Sequence, residues 1–228
     1  MRQSNEFREL LKQFKRSFHA GEIFHALSIL ARAKASISED TTSPQRHKHG
    51  IVDHRQAMAE ADSGDIDDAR ALLRNASRKI EADAPIERAM MLRDWGKIEL
   101  MAGDEPLARR LINEALTLLY AVEITTPRLD EEIVATQGFL AQTMIRLDKS
   151  GALSSLRATA TALKDKRPVY ELEPVACLVE NLPAGVERQR YILRAVYLCS
   201  RLGDRPRTLE YTALLGGKPL RSIYRHLI

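Results

Sequence analysis

Three stretches of the chain share one frame of small residues, and that frame limits what the chain can fold into. Gly21-Glu22, Gly64-Asp65 and Gly103-Asp104 are each followed by alanine five residues on (Ala26, Ala69, Ala108) and again at twelve (Ala33, Ala76, Ala115). Alanines seven apart lie on one stripe of an α-helix, so each glycine turn opens a helix built to pack closely against the one before it. The turn therefore joins two helices, and its recurrence predicts a row of stacked helical hairpins.

Composition agrees with this. Aromatic residues make up only 5% of the 228 residues, while Ala, Leu, Arg and Glu abound, which is helix-forming stock. The periodicity predicts helices at about 3–19, 22–37, 49–62, 66–82, 86–102, 105–123, 129–147, 151–165, 171–181, 187–202, 206–215 and 219–227, with no competing strand pattern. Turn and breaker residues fall between them: Thr41-Thr-Ser-Pro44, Asp83-Ala-Pro85, Thr125-Thr-Pro127, Arg167-Pro168, Leu182-Pro-Ala-Gly185 and Gly216-Gly217. The expected fold is all-α, a helical-hairpin solenoid of about 10–12 helices.

The third unit carries a family likeness. Trp95-Gly96, Gly103-Asp104, Ala108, Ala115 and Leu116 resemble the tetratricopeptide repeat, which has an apolar-Gly pair, a Gly-Asp turn and two alanines. Ala57 and Gly96 each stand seven residues before their turn, where a small residue lets paired helices approach closely, whereas the first unit has Phe14 there. The turn glycines are 43 and 39 residues apart, against about 34 in a minimal repeat, so the extra residues are expected in the connections near 38–48 and 82–88. A fourth, degenerate unit runs from Gly138 to Leu163.

The resemblance covers about half the chain. It implies a right-handed solenoid domain over 1–185 that binds a protein or peptide without catalysis, the first helix of each hairpin lining a concave face. Offsets from the turns then place Lys12, Lys15, His54, Arg55, Arg93 and Lys97 in a peptide-binding groove beside apolar Phe18, Met58 and Met101. Long cations over apolar floors suit an acidic peptide; solvated Lys and Arg on helix faces account for the same residues. The family's carboxylate-binding variants also use Asn, and none stands among these positions.

Charge is unevenly spread. Residues 1–50 hold nine Lys/Arg against five Asp/Glu, residues 51–185 seventeen against twenty-three, and residues 186–228 nine against three. A basic end hints at a polyanionic partner. Thr208 to Leu227 resembles the helix-turn-helix of bacterial regulators, which implies a DNA-binding alternative with Arg221, Ser222, Tyr224, Arg225 and His226 facing the major groove or its phosphates. Residues 186–228 are thus either that motif or a polar cap on the solenoid. At Gly203-Asp204 the frame breaks, with Thr208 and Leu215 where the two alanines belong.

Little in the sequence calls for chemistry. Phosphate-binding loops, nucleophile elbows and Cys–His dyads are absent, so neither a catalytic role nor a cofactor is expected. His49 and Asp53 have a usable ligand spacing on a helix, but with His47 and His54 they read as a solvated basic loop, and no metal is assigned. Asp67-Asp68 and Glu131-Glu132 are read as first-turn acids complementing helix dipoles. Cys177 and Cys199 sit in apolar surroundings, as buried free thiols would. Without a signal-peptide pattern or a membrane-length apolar run, a cytoplasmic, non-membrane protein is expected; its oligomeric state stays open.

Overall fold

The computed structural model describes residues 2–37, 42–123 and 126–215. Eleven helices follow one another there, with no strand among the described residues: α1 (Arg2–His19), α2 (Ile23–Ala35), α3 (Ser43–Asp62), α4 (Ile66–Lys79), α5 (Pro85–Met101), α6 (Glu105–Tyr120), α7 (Pro127–Thr143), α8 (Lys149–Leu163), α9 (Pro168–Asn181), α10 (Val186–Leu202) and α11 (Arg205–Ala213). Each helix packs on its neighbours in the chain, the run of antiparallel hairpins that makes a solenoid. The twelfth expected helix, 219–227, lies outside the described residues.

The small-residue frame does what its spacing predicts. Gly21, Gly64 and Gly103 take φ values of +76°, +95° and +84°, the left-handed conformation that ends a helix and that glycine adopts without penalty. Ala26, Ala33, Ala69, Ala76, Ala108 and Ala115 are all fully buried. In the third hairpin a Cβ on Gly96 would lie 2.6 Å from Ile112 Cγ1 and 3.0 Å from the Ala108 carbonyl oxygen, so α5 and α6 meet nearly backbone to backbone. The first hairpin replaces the small residue with the buried ring of Phe14, stacked on Phe18 at 5.4 Å, and α1 and α2 make fewer close backbone approaches than α3–α4 or α5–α6.

Two expectations are corrected. The extra residues near 38–48 do not all form a loop: α3 begins at Ser43 rather than 49, with Pro44 in its first turn, where the missing N–H costs nothing. Glu131 and Glu132 are not first-turn acids, because α7 starts earlier, at Pro127, after the Thr126 hydroxyl accepts from the Leu129 N–H. Asp67 and Asp68 do lie in the first turn of α4.

At the far end, Gly203 (φ +76°) and the Asp204 cap, which accepts from the Arg207 N–H, join α10 to α11 by the same kind of turn as the earlier hairpins. Ile192, Ala195, Val196, Leu198 and Cys199 of α10 share one apolar core with α8 and α9. The sequence predicts an open superhelix, but the array curls until its end turns meet. A Cβ on Gly21 would stand 3.8 Å from Asp204 Oδ1 and 3.9 Å from Pro206, and one on Gly203 would stand 3.9 Å from Ala20 Cβ. Ala20, Gly21 and Gly203 leave room for that approach.

Candidate functional site

The inner helices α1, α3, α5, α7 and α9, with the α10–α11 turn, surround a cleft of about 740 Å³. Its floor is apolar and contains Phe14, Phe18, Met58, Met90, Phe139 and Leu172. Of the six groove residues expected from sequence, Lys15, Arg55, Arg93 and Lys97 line the cleft. His54 is buried behind the lining, and Lys12 points outward into an exposed pair with Glu9 at 2.6 Å.

Two of these cations, Arg93 and Lys97, are neutralised by carboxylates of later hairpins. Arg93 is buried on α5, where it meets Asp94 at 3.0 Å and donates to Glu132 of α7 at 2.7 Å. Glu132, fully buried, also accepts from the Tyr170 hydroxyl of α9 at 2.5 Å. His54 of α3 bonds to Asp94 at 2.9 Å, and Lys97 donates to Glu173 at 2.5 Å, linking α5 to α9. The Arg93 guanidinium lies 5.7 Å from the Phe139 ring centre and 5.3 Å from that of Tyr170, cation–π distances that help a buried cation. A polar ladder therefore crosses α3, α5, α7 and α9 just beneath the cleft wall.

Electrostatics follow from this geometry. Burial disfavours a charge on Asp94, but Arg93, the His54 hydrogen bond and Arg55 outweigh it and hold the carboxyl well below its usual range. Burial and the neighbouring Arg55 push His54 below its ordinary value in spite of Asp94, so it is neutral at pH 7. Lys97 is also penalised by burial, yet Glu173 raises it above the normal lysine value.

Lys15 differs. It lines the cleft, and no ion pair to it is found among the described residues. Loss of solvent around its ammonium and the like charges of Arg55, Arg128 and Arg167 bring its pKa down to about 8. One turn further along α1, burial together with Arg55, Lys15 and Lys97 brings His19 down to about 4. For both groups on α1 loss of solvent is the larger cause, and the neighbouring cations add to it.

Sequence inspection named the cations but missed Asp94, Glu132, Tyr170, Glu173 and Arg167. Only the Arg93-Asp94 adjacency could have hinted at the ladder, because its other partners are 38 to 76 residues apart. Asp53 pairs with Lys79 at 2.5 Å and His47 Nδ1 accepts from the Glu81 N–H, so the histidine-rich start of α3 is tied to the end of α4. Arg221, Ser222, Tyr224, Arg225 and His226 lie outside the described residues. No described helix is long and apolar enough to cross a membrane.

No protein-family model and no curated protein sequence matches the chain. Among solved structures it is similar to PilF of Pseudomonas aeruginosa, with a TM-score of 0.53, 13% identity and full coverage of both chains. This likeness, to a TPR-like repeat protein, is one of fold. The chain is an all-helical hairpin solenoid of TPR-like architecture. TPR-like repeats of a putative kinesin light chain from Podosopora anserina align over 90% of this chain and 91% of that one, at 16% identity and a TM-score of 0.48.

Proposed function

We propose that the chain is a non-catalytic helical-repeat scaffold that holds an acidic segment of a protein partner in its concave cleft. TPR-like repeats commonly serve protein interactions, and one observation carries the finer reading. Seven Lys or Arg but only four Asp or Glu line the cleft above an apolar floor. That surplus falls on Lys15, Arg55 and Lys166, since Arg93, Lys97 and Arg167 are occupied by internal carboxylates. Charge would steer the segment in, and contact with Phe18 and Met58 would hold it.

A random peptide display selected on the purified protein tests the proposal. Enrichment of Asp or Glu flanking apolar residues is expected, as is at least a tenfold loss of affinity with Lys15→Glu plus Arg55→Glu, pairs chosen because neither is locked in the ladder. An unbiased selection, or binding indifferent to that double reversal, rejects it.

A further inference from the structure

The cleft differs at its two ends. Towards the α1–α2 turn, Lys97 meets Glu173 and Arg207 lies 3.6 Å from Asp204, so cations and carboxylates there are matched. Towards the opposite end the match is incomplete, at Lys15 and Arg55 above all. Arg55 reaches only to 3.9 Å from Asp94, whose oxygens already serve His54 and Arg93. Arg167 is 3.6 Å from Glu132, itself committed to Arg93 and Tyr170, and keeps Glu131 at 2.6 Å as its one close partner. Lys15 stands beside both without a carboxylate of its own. Phe18, Met58 and Met90 line the same cleft, and methionine is the side chain that best adapts to a flexible apolar guest. The volume lies within the few hundred to a thousand Å³ of small-molecule sites.

We propose that the cleft also binds a small anionic amphiphile, its charged head against Lys15, Arg55 and Arg167 and its apolar body along Phe18, Met58 and Met90. The ligand supplies the carboxylate that Lys15 lacks within the fold, beside the apolar side chains that line the cleft. The head shares Lys15 and Arg55 with the acidic segment proposed above, so the amphiphile competes with the partner and regulates it; the inference rests on that reading of the cleft.

Decanoate is the probe, titrated calorimetrically below its aggregation concentration, with decanol and acetate as controls for body and head. One saturable site is expected for decanoate, with affinity at least tenfold above either control. Lys15→Gln should weaken it about tenfold and Lys15→Arg should restore it. Lys15 faces Arg55 on α3, Arg128 and Glu132 on α7, Arg167 before α9 and His19 on its own helix, and only Lys15 among the cations loses its proton in the accessible range. Bound anion favours the protonated lysine, so affinity should fade from pH 7 to pH 9.5 in the parent protein and stay level in Lys15→Arg. Melting curves establish that the variants are folded. Decanol binding as well as decanoate, affinity untouched by Lys15→Gln, or no decanoate binding at all would each overturn the site. If the peptide selection succeeds while decanoate is silent, this inference alone falls; if both are silent, the reading of the cleft falls with it.

Discussion

At the scale of single residues, the cleft wall is made of charges whose protonation is set by folding. His19 and His54 are both held below the ordinary histidine value, and His19 falls to about 4. Unfolded, each takes up a proton near pH 6.5; folded, it resists. The sign is then fixed: stability is complete above pH 6.5 and drains away as pH falls towards 4. Thermal melts should show a decline between pH 7 and 4.5, with His19 contributing on the order of 1–3 kcal/mol. His19→Gln should flatten that decline, and an unchanged pH profile would show that the histidine is not buried among cations. Lys15 has the same sign in a higher window: loss of solvent and the charges of Arg55, Arg128 and Arg167 bring it down to about 8. Stability is therefore given up as pH falls from the ordinary lysine value to about 8, and a strained charge remains at pH 7. Lys15→Gln is accordingly expected to keep or slightly raise the melting temperature while ligand binding weakens about tenfold, the trade seen where binding sites are left electrostatically unsatisfied.

At the scale of helices, the close contact of α5 with α6 rests on the absence of a side chain at Gly96. Gly96→Ala places a carbon 2.6 Å from Ile112 Cγ1, so the helices must part, at a cost of about 1–3 kcal/mol. Adding Ile112→Ala should give back part of the loss, a non-additivity measurable in urea melts; additive losses would mean that the two residues do not meet. This contact was legible in advance because it depends on local spacing: Gly96 seven before the turn, Ala108 and Ala115 after it. The same holds for the turn glycines and for all six buried alanines. The polar ladder was not legible. A sequence displays Arg93 as one cation among many, and its pairing with Glu132 is decided by how the third hairpin leans on the fourth. Residues 43–48 read as loop in the sequence because a proline reads as a break, whereas Pro44 occupies the one helical turn that tolerates it. Lys15 and Arg55 were found from their offsets, but that they differ from Arg93 and Lys97 in lacking strong partners is a tertiary fact.

At the scale of the whole molecule, curvature decides whether the cleft is a passing groove or a pocket. The meeting of Ala20 and Gly21 with Gly203, Asp204 and Pro206 can be trapped chemically. A Cβ on Gly203 would stand 3.9 Å from that of Ala20, within the range a disulfide spans. Ala20→Cys with Gly203→Cys should therefore cross-link under mild oxidation and run faster on a non-reducing gel, despite the strain of a side chain at φ +76°. Background reaction should be small, because Cys177 and Cys199 are buried and their thiols are pushed up to about 12 and about 11 by loss of solvent. Both engineered thiols remaining open to maleimide would restore the open superhelix.

That same meeting of first and last turns alters how the array should come apart. In a linear stack each terminal unit has one neighbour and frays before the middle. Here the turns of the outermost described hairpins touch, so opening either breaks that contact as well as its one packed face, and the stack melts more like a hoop than like a zipper.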